Sequence, residues 1–560
     1  MSSLQIGKSA LIASQAALQV VGNNISNASN PNYAREAPQI AAAVATDPSG
    51  TGAGLGQGVE MAGVQRLTDE ATNAELRSGT SDQYGAQSAS TQLTSIQTAL
   101  DPLSSNSLAS QLDTFFNDFS SLANTPQDSG QRTLLLQDGS TLAQSLVAAN
   151  QSLNGQRVQI NQQVTALTGQ ANQLLGQVAQ YNGQIIAATA AGNSRTAAGL
   201  SDQRDAALSQ LSQLMNIQTQ TNANGAVNVY SNSLSLVAGV SASKLATAVD
   251  TRSGSADVVV TDTDTGSAMA ITGGQIGGLL TARASGVDAV QGSLNTLASA
   301  LITQVNAIHS QGQGLTPVTS VTSTNAVSNA NAALNAAGLA QTPVNGTFTV
   351  NVTGPTGSTV ATTITVNLSG VGPATTLNSL AGQLNAAAGV SATVQPNGTL
   401  RIDAASGYSV SFASDSSGAL GALGINTFFS GRDASDIAVR SGLTANGIAA
   451  AGNGQSGDNS NALQLASLGG TPVGSLGNVT LTDYFNNTMS TLAGQISQAN
   501  AANTSAATVV SSLASQQASI SGVSMDQEAI DLMTYQRAYQ GAAEYISALN
   551  TLTTEMLQYL

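Results

Sequence analysis

The chain contains no cysteine and no tryptophan, and it has a single histidine among its 560 residues. The lack of cysteine excludes disulfide bridges and thiolate metal sites. With His309 as the sole imidazole, metal binding and acid–base catalysis are poor explanations for this sequence. We recognise no nucleophile–base pair and no carboxylate dyad. The sequence therefore predicts no catalytic residue, no cofactor and no metal, and we do not expect an enzyme.

Charged residues are also scarce, at 8% of the chain, with 30 acidic and 15 basic residues. The net charge of −15 argues against nucleic-acid binding, because contacts to phosphates need lysine and arginine. Aromatic residues make up 3% of the chain, so its cores must be built from aliphatic side chains. No apolar run approaches the length of a membrane span, and we expect no membrane insertion.

The first apolar stretch, residues 9–21, follows Lys8 and has some likeness to a secretory signal peptide. Gln15 and Gln19 interrupt this stretch, and no small-residue cleavage site follows it. We therefore predict an amphipathic helix that is not cleaved, with a signal peptide as the alternative.

Both ends of the chain carry apolar residues at coiled-coil spacing. The positions that define these two stripes are Leu4, Leu11, Leu18 and Ile25 at one end, and Leu532, Tyr539, Ile546, Leu549 and Met556 at the other. A helix with one narrow apolar stripe must pair to be stable in water. The pattern therefore predicts ends that pair with each other or with further copies, as in an assembling subunit.

Between the ends, helical and extended patterns follow one another. Residues 69–215 are helical, and the apolar spacing over residues 153–185 predicts a helix of roughly 50 Å. Residues 492–520 keep the same spacing, and we expect these two long helices to pack together in a bundle. Residues 216–270 and 316–440 alternate with period two and are rich in threonine, valine and glycine, which predicts β structure.

These patterns predict a multidomain α+β protein, in which terminal coiled-coil-like helices pair into a helical bundle. All-β domains of sandwich or barrel type would be inserted in the middle of the chain. The predicted segments are 1–66 for the N-terminal part of an inner-tube helical domain, 67–215 for the N-terminal part of a long-helix bundle, 216–315 for a mixed β and helical segment, 316–440 for an outer β domain, 441–520 for the C-terminal part of the bundle, and 521–560 for the C-terminal helix of the inner-tube domain.

Three local features have simple structural explanations. Asp262-Thr263-Asp264-Thr265-Gly266 opens like a calcium loop, but glycine stands where the bidentate acid is needed, so a hairpin turn is the better explanation. Asp202-Gln203-Arg204-Asp205 is dense charge in a charge-poor chain, and we interpret it as the start of a helix capped by Ser201 or Asp202. His309 has no acid within one helical turn, which indicates a structural or surface histidine.

The sequence from Asn23-Asn24-Ile25-Ser26-Asn27 through Pro31 and Tyr33 resembles the N-terminal signature of bacterial flagellar axial proteins, a family of rod, hook and hook-associated subunits. Met533-Thr534-Tyr535-Gln536-Arg537-Ala538-Tyr539-Gln540 is similar to the C-terminal signature of the same family. Within the family, the internal segments are similar to those of hook-associated members. These segments contain Phe115-Phe116 with Pro126 and Arg132, the Asp202, Arg204 and Asp205 cluster, residues 273–280, residues 305–312 with Asn306 and His309, and residues 425–437.

The resemblance implies a structural subunit of the flagellum that joins the hook to the filament and is needed for filament assembly and motility. It implies self-assembly into a ring or helical tube, and contacts with the hook protein, with the next hook-associated protein and with the filament. It also implies secretion through the flagellar type III export apparatus without a cleaved signal peptide, a chaperone on the C-terminal helix, and an extracellular location. Until assembly, residues 1–66 and 521–560 are expected to be poorly ordered.

Two alternatives to the junction role are open. One is a hook or distal-rod protein, because those members share the terminal signatures. The other is a secreted adhesin or enzyme with its activity in residues 316–440, where we recognise no catalytic pattern.

Overall fold

The computed structural model describes residues 2–43, 56–101, 104–252, 255–452, 455 and 457–558. Helices account for most of the regular structure in these residues. They are α1 (Ser2–Ser26), α2 (Glu70–Leu100), α3 (Leu108–Asn124), α4 (Ser129–Ala190), α5 (Ser194–Leu214), α6 (Gly274–Ala282), α7 (Ala289–His309), α8 (Leu377–Asn385), α9 (Ala419–Leu423), α10 (Ser460–Ser467), α11 (Leu481–Ser521) and α12 (Met525–Gln558). A π-helical segment, Arg283–Asp288, lies between α6 and α7.

The described strands form small antiparallel sheets of two to four strands, in the orders β1-β2, β3-β4-β5-β6, β7-β8, β11-β10-β14, β12-β13-β9 and β15-β16. Their bounds are β1 (Glu36–Ala42), β2 (Val59–Arg66), β3 (Gln218–Thr221), β4 (Val227–Ser231), β5 (Leu234–Ala238), β6 (Ser241–Ala242), β7 (Leu245–Asp250), β8 (Asp257–Asp262), β9 (Ser320–Thr322), β10 (Gly346–Thr353), β11 (Thr359–Val366), β12 (Val390–Val394), β13 (Leu400–Ala404), β14 (Ser409–Ala413), β15 (Phe429–Ser430) and β16 (Ala438–Val439). The α+β class is therefore confirmed, and none of the sheets in the described ranges closes into a barrel.

The chain divides into two compact units. We call the first the terminal unit, because it contains both ends of the chain: Met1–Gln92, Val158–Arg283 and Ile496–Leu560. The second, which we call the central unit, consists of Leu93–Arg157 and Ala284–Gln495. Each unit is thus assembled from segments that are far apart in sequence.

The long helices follow from apolar spacing. α4 has 62 residues and buries one stripe that includes Ile160, Val164, Ala171 and Val178, so the predicted helix over 153–185 is confirmed and extends further in both directions. The predicted helix over 492–520 lies within α11. In the terminal unit, two side-chain hydrogen bonds join α11 to α2 rather than to α4: Ser90 Oγ donates to Asn500 Oδ1, and Gln517 Nε2 donates to Asn73 Oδ1 at 2.7 Å.

Glycine allows close helix packing in the segment that begins at Gly273. A Cβ at Gly278 would collide with the carbonyl oxygen of Gly85 on α2, and one at Gly277 would lie 2.6 Å from the carbonyl carbon of Thr272. Gly274 has a φ of +65°, which side chains other than glycine rarely adopt. The glycines of residues 273–280 therefore bring α6 against α2 in the terminal unit.

The outer β region has a core shared by sheets β11-β10-β14 and β12-β13-β9 and by α8. Phe348, Val350 and Val352 alternate inward along β10, as the period-two pattern predicts. Pro396-Asn397-Gly398 lies in the turn of a hairpin, because β12 and β13 pair antiparallel on either side of it. Because α8 supplies Leu377, Leu380 and Leu384 to the same core, this region mixes helix and sheet.

Side chains of α8 also cover an edge of each of these sheets. Gln383 accepts from the backbone N–H of Thr365 and donates to its carbonyl, both at 3.0 Å. Asn385 bonds to Ala392 in the same way, at 2.7 and 2.8 Å. The two amides thus take the place of a neighbouring strand at exposed edges, which would otherwise be free to pair with other chains.

Candidate assembly site at the chain termini

The two terminal helices pack against each other in antiparallel orientation. Gly7, near the start of α1, lies beside Ile546, and Asn24, near its end, lies beside Glu528. A Cβ on Gly7 would lie 2.7 Å from Ile546 Cγ1, so glycine permits the close approach. The prediction that the two ends find each other is therefore confirmed within this chain.

The buried face of α1 differs from the predicted heptad. Leu4 is 46% exposed, and Leu11, Leu18 and Ile25 are only half-buried. The fully buried positions are small or polar ones offset from that heptad, namely Gly7, Ala13, Ser14, Ala17, Val20, Val21 and Asn24. Apolar spacing located the helix correctly, but small residues decide which face packs inside the chain, because they let the helices approach.

On α12 the predicted stripe lies toward α1 over most of its length. Leu532, Tyr539, Ile546 and Leu549 are half-buried, and Ala542 beside them is buried. Beyond Leu549 the apolar residues lose their cover. The uncovered side chains are Leu552, Met556 and Leu557, which are 56%, 67% and 69% exposed. This exposed end of α12 is an apolar surface that the described part of the chain leaves without a partner.

Asn24 is the centre of a buried hydrogen-bond network in the terminal unit. Its Nδ2 donates to Glu528 Oε2 on α12 and to the carbonyl of Glu36, both at 2.9 Å. Its Oδ1 accepts from the Tyr33 hydroxyl at 2.7 Å and from the N–H of Glu36 at 3.0 Å. One side chain, 1% exposed, therefore ties together α1, the turn after it, β1 and α12.

Arg35 adds an ionic link between the two ends of the chain. Its guanidinium binds Glu528 Oε1 at 2.6 Å and Asp531 Oδ2 at 3.0 Å. Glu528 is fully buried, and its carboxylate is satisfied by Arg35 and Asn24 together. The pairing of Arg35 with Glu528 was not predicted from the sequence. The available signal was weak: charges are rare in this chain, and buried ones usually occur in pairs.

The remaining N-terminal motif residues support this network to different degrees. Asn23 Nδ2 donates to the Tyr33 hydroxyl at 3.2 Å, and Asn27 bonds back to Asn23 within the helix. Burial raises the pKa of Tyr33 well above its usual value, with the charge of Glu36 adding to the effect. Pro31 lies exposed in the turn, and Gln536 of the C-terminal motif is exposed on α12.

The predicted helix start at Asp202 is wrong. Asp202, Arg204 and Asp205 lie inside α5, whose N-terminal cap is Asn193: its side chain accepts from the Thr196 N–H. The charged residues instead hold neighbouring segments, because Arg66 of β2 binds Asp202 at 2.6 Å and Asp205 at 2.8 Å. Burial raises the pKa of Asp202, and the Arg66 guanidinium opposes that effect.

Arg204 extends the same arrangement to the neighbouring sheet. Its NH1 donates to Asn182 Oδ1 at 3.2 Å and to the carbonyl of Gly225 at 2.7 Å. Asn182, which is fully buried, in turn bonds to the backbone of Val227. The charged motif therefore anchors β2 and the β3-β4 hairpin to the helices of the terminal unit.

In the central unit, Asn306 and His309 hold a long loop against α7. Asn306 accepts from the N–H groups of Phe428 and Phe429 and donates to the carbonyl of Phe429. His309 is fully buried; its Nδ1 lies 2.8 Å from the carbonyl of Asn426, and its Nε2 accepts from the N–H of Ala449 at 3.0 Å. These contacts identify a structural histidine, and burial lowers its pKa to about 4.

An aromatic cluster and a buried arginine complete this anchor. Phe115 and Phe119 of α3 pack edge-on against Phe428, with ring centroids 5.4 and 5.9 Å apart. Arg132, 1% exposed, donates to the carbonyl of Pro126 and, at 2.7 Å, to that of Ile448. Backbone carbonyls rather than a carboxylate thus hold its guanidinium.

These motif residues hold segments of the chain together through hydrogen bonds and ion pairs. Among the residues described, no group of three or more histidine, cysteine or acidic side chains is placed to hold a metal ion. The helices of the described part of the chain include none long and apolar enough to cross a membrane. What the motifs share is a buried polar side chain that bonds to backbone groups or charges of distant segments.

Comparison with known proteins finds three flagellar protein families at different places along the chain. Residues 93–320 match the family described as the flagellar hook-associated protein FlgK helical domain. Residues 4–33 match the flagella basal body rod protein family, and residues 514–558 match the C-terminal family of flagellar basal body rod FlgEFG proteins. The central part of the chain is therefore similar to the helical domain of the flagellar hook-associated protein FlgK, and its two ends are similar to flagellar rod proteins.

The similarity of this chain to individual relatives is partial. It is 27% identical over 310 residues to the flagellar hook-associated protein 1 of Escherichia coli (strain K12), and 27% identical over 318 residues to that of Salmonella typhimurium. Each alignment covers 54% of this chain and 56% of the relative, so the chain spans about half the length of the curated relatives it matches.

A solved structure shares the fold. The flagellar hook junction protein FlgK from Burkholderia pseudomallei aligns with a TM-score of 0.50 and 18% identity, covering 80% of this chain and 100% of that one. The terminal matches coincide with α1 and α12, and the central match covers the residues from α3 to His309. The resemblance carried by the sequence motifs is therefore confirmed at the level of the family.

Proposed function

We propose that this chain is a structural subunit of the bacterial flagellum that forms the junction between hook and filament and is needed for filament assembly. The observation that carries the proposal is the antiparallel α1–α12 pair, which has a buried polar anchor at one end and the uncovered Leu552, Met556 and Leu557 at the other. An apolar helix end without cover in the subunit is suited to contact with neighbouring copies.

The hook or distal-rod role is the second candidate, since the families that match both termini are described as rod proteins. The match over residues 93–320 favours the junction role, because the description of that family names the flagellar hook-associated protein FlgK. The network of Asn306 and His309 lies in this same stretch and in the loop bonded to it. An adhesin or enzymatic role for residues 316–440 has no supporting observation.

In this proposal the predicted segments 1–66 and 521–560 form an inner tube, and segments 67–215 and 441–520 form a helix bundle around it. Residues 216–315 form a mixed β and helical segment, and residues 316–440 form the outer β domain, which we propose to be sandwich-like. The copies would form a ring or helical tube that contacts the hook protein, the next hook-associated protein and the filament. The predicted stripes Leu4, Leu11, Leu18 and Ile25, and the end of α12 at Met556, would be covered by neighbouring copies.

Before assembly, the same surface would need a chaperone on the C-terminal helix, and the chain would leave the cell through the type III flagellar export apparatus. The expected location is the extracellular flagellum, without a cleaved signal peptide. These partners and this route are supported by the match of residues 93–320 to the FlgK helical domain and by the exposed apolar end of α12.

The experiment compares two neighbouring substitutions on α12. Leu549→Asp places a charge in the half-buried stripe, whereas Asn550→Asp places the same charge at an exposed position. Because an unpaired carboxylate in an apolar seam is costly, Leu549→Asp should abolish filament assembly in cells, and Asn550→Asp should leave it intact. Both proteins should remain soluble, with the outer β region folded. Normal filaments with Leu549→Asp would refute the assembly role of this stripe.

A further inference from the structure

In the central unit, two carboxyl groups that lie twenty positions apart in sequence meet between α3 and α4. Asp118 of α3 is 9% exposed, and its partner Asp138 on α4 is half-buried. The side chains lie within hydrogen-bonding reach of each other. Asp118 Oδ2 is fully shielded from solvent and finds no hydrogen-bond donor among the described residues. No carboxylate dyad is apparent in the sequence, whereas the packing of α3 against α4 forms one.

Two ionised carboxylates cannot remain this close in a buried place without a cation or a proton between them. Among the described residues, no basic side chain forms an ion pair with Asp118 or Asp138. α10 and the 3-10 turn Leu468–Gly470 pack against α3 and carry no titratable side chain. The other titratable or charged groups near α3 are Asp113 on the same helix, Asp483 and Tyr484 beside Thr482 of α11, and His309 and Arg440 next to the segment around Phe428. The Arg440 guanidinium donates to the carbonyl of Thr427. Arg132, on α4 with Asp138, directs its guanidinium to backbone carbonyls.

We propose that Asp118 and Asp138 share a single proton near neutral pH, and that this proton holds α3 against α4. With Asp118 protonated, its hydroxyl donates to the Asp138 carboxylate, and the otherwise unpartnered oxygen gains its hydrogen bond. When the pH rises, the proton leaves to solvent and two negative charges face each other across the helix pair. α3 then loosens, and with it the packing of Phe115 and Phe119 against Phe428.

The direction of the titration agrees with this geometry. Burial raises the pKa of Asp118 to about 7, and the hydrogen bond and charge of Asp138 add to the effect. The folded protein therefore keeps a proton that the unfolded chain releases above about pH 4. Stability from this pair is present at low pH and is lost as the pH rises through about 7.

The test is hydrogen–deuterium exchange of the purified full chain, followed by mass spectrometry of peptides from α3. Wild type is compared with Asp118→Asn at pH 5.5 and pH 8, each pair at the same pH. An asparagine donates to the Asp138 carboxylate at either pH, so the variant should match wild type at pH 5.5 and exchange several-fold more slowly in α3 at pH 8. Asp138→Asn, which provides the amide from the other side, should give the same pattern and provides the test if Asp118→Asn does not fold.

Asp113→Asn is the matched control, because Asp113 is exposed on the same helix and accepts a hydrogen bond from Thr482 that asparagine can also accept. It should follow wild type at both pH values. Equal protection of wild type and both amide variants at pH 8 would overturn the proposal. A difference of the same size at both pH values would overturn it as well, because that difference would not come from a titration.

Discussion

The single histidine allows a prediction that can be measured without interference from other imidazoles. His309 is fully buried, with its Nδ1 facing a carbonyl and its Nε2 facing an N–H group. The carbonyl of Asn426 can only accept and the N–H of Ala449 can only donate, so the ring must be neutral, with its proton on Nδ1. A protonated ring would place an N–H of its own against the N–H of Ala449.

The cost of protonating this ring follows from its pKa, which burial lowers from 6.5 to about 4. Because each pKa unit corresponds to about 1.4 kcal/mol, keeping His309 neutral should reduce the free energy of unfolding by roughly 3 kcal/mol between pH 6.5 and pH 4. The sign follows from proton binding: the unfolded chain takes up a proton below pH 6.5, whereas the folded chain does not until about pH 4.

The assay is NMR of protein labelled with carbon-13 and nitrogen-15 at histidine and purified without a histidine tag, so that each molecule gives one imidazole signal. Between pH 7.5 and 5 the ring signals should stay constant, with the nitrogen shifts of the Nδ1–H tautomer. In parallel, His309→Gln should be less stable than wild type at pH 7, but its stability should fall less on acidification. A ring that titrates near pH 6.5, or that shows the Nε2–H tautomer, would refute the buried anchor.

The remaining predictions concern the Asn24 hydrogen-bond network and the close approach of α6 to α2 in the terminal unit, with a glycine of α7 in the central unit as a control. Asn24→Ala removes the four hydrogen bonds of this buried side chain and leaves Glu528 with one partner fewer, so it should destabilise the docking of α12 by about 3 kcal/mol. Asn27→Ala is the control, because Asn27 belongs to the same motif but bonds only within its helix, and it should have little effect. Hydrogen exchange of α12 peptides measures both variants. Gly278→Ala places a Cβ against the carbonyl of Gly85 and should lower the free energy of unfolding by about 2 kcal/mol. Gly292→Ala, which has open space around its Cβ, should instead stabilise its helix by up to about 1 kcal/mol. Equal thermal unfolding midpoints for the two variants would contradict this explanation of the glycine packing.

The sequence located helices and strands better than it located contacts. Apolar spacing identified α1, α4, α11 and α12, because a stripe at 3–4 spacing requires a helix whatever it packs against. The same spacing placed the packed face of α1 on Leu11 and Leu18, whereas the structure buries Ala17 and Val21. Which face of a helix is buried depends on how closely its partner approaches, and that is set by a residue such as Gly7.

The motif residues of the candidate site could be recognised in the sequence, but their hydrogen-bond and ion-pair partners could not. Asn24 stood in the motif, whereas its partner Glu528 lies 504 positions later, and Arg35 is 493 positions from the same carboxylate. Nothing in local sequence pairs residues at such separations. His309 was interpreted as a structural or surface histidine, and the structure shows a structural one. Its partners are backbone groups of Asn426 and Ala449, which carry no side-chain signal.

The charged motif at Asp202 shows why a local rule can fail. Acidic residues are favourable in the first turn of a helix, so the cluster was interpreted as a helix start. The true cap is Asn193, nine residues earlier, and Asp202 is retained inside the helix because Arg66 compensates it. A long-range ion pair thus overrides a local preference.

The most direct test of the account is electron microscopy of a deletion strain of the source bacterium, with the spent medium assayed for flagellin. The junction role predicts hooks without filaments and flagellin lost to the medium, with both defects reversed by the intact gene. Missing hooks would place the protein in the rod or hook instead. Normal filaments would contradict the proposed function outright.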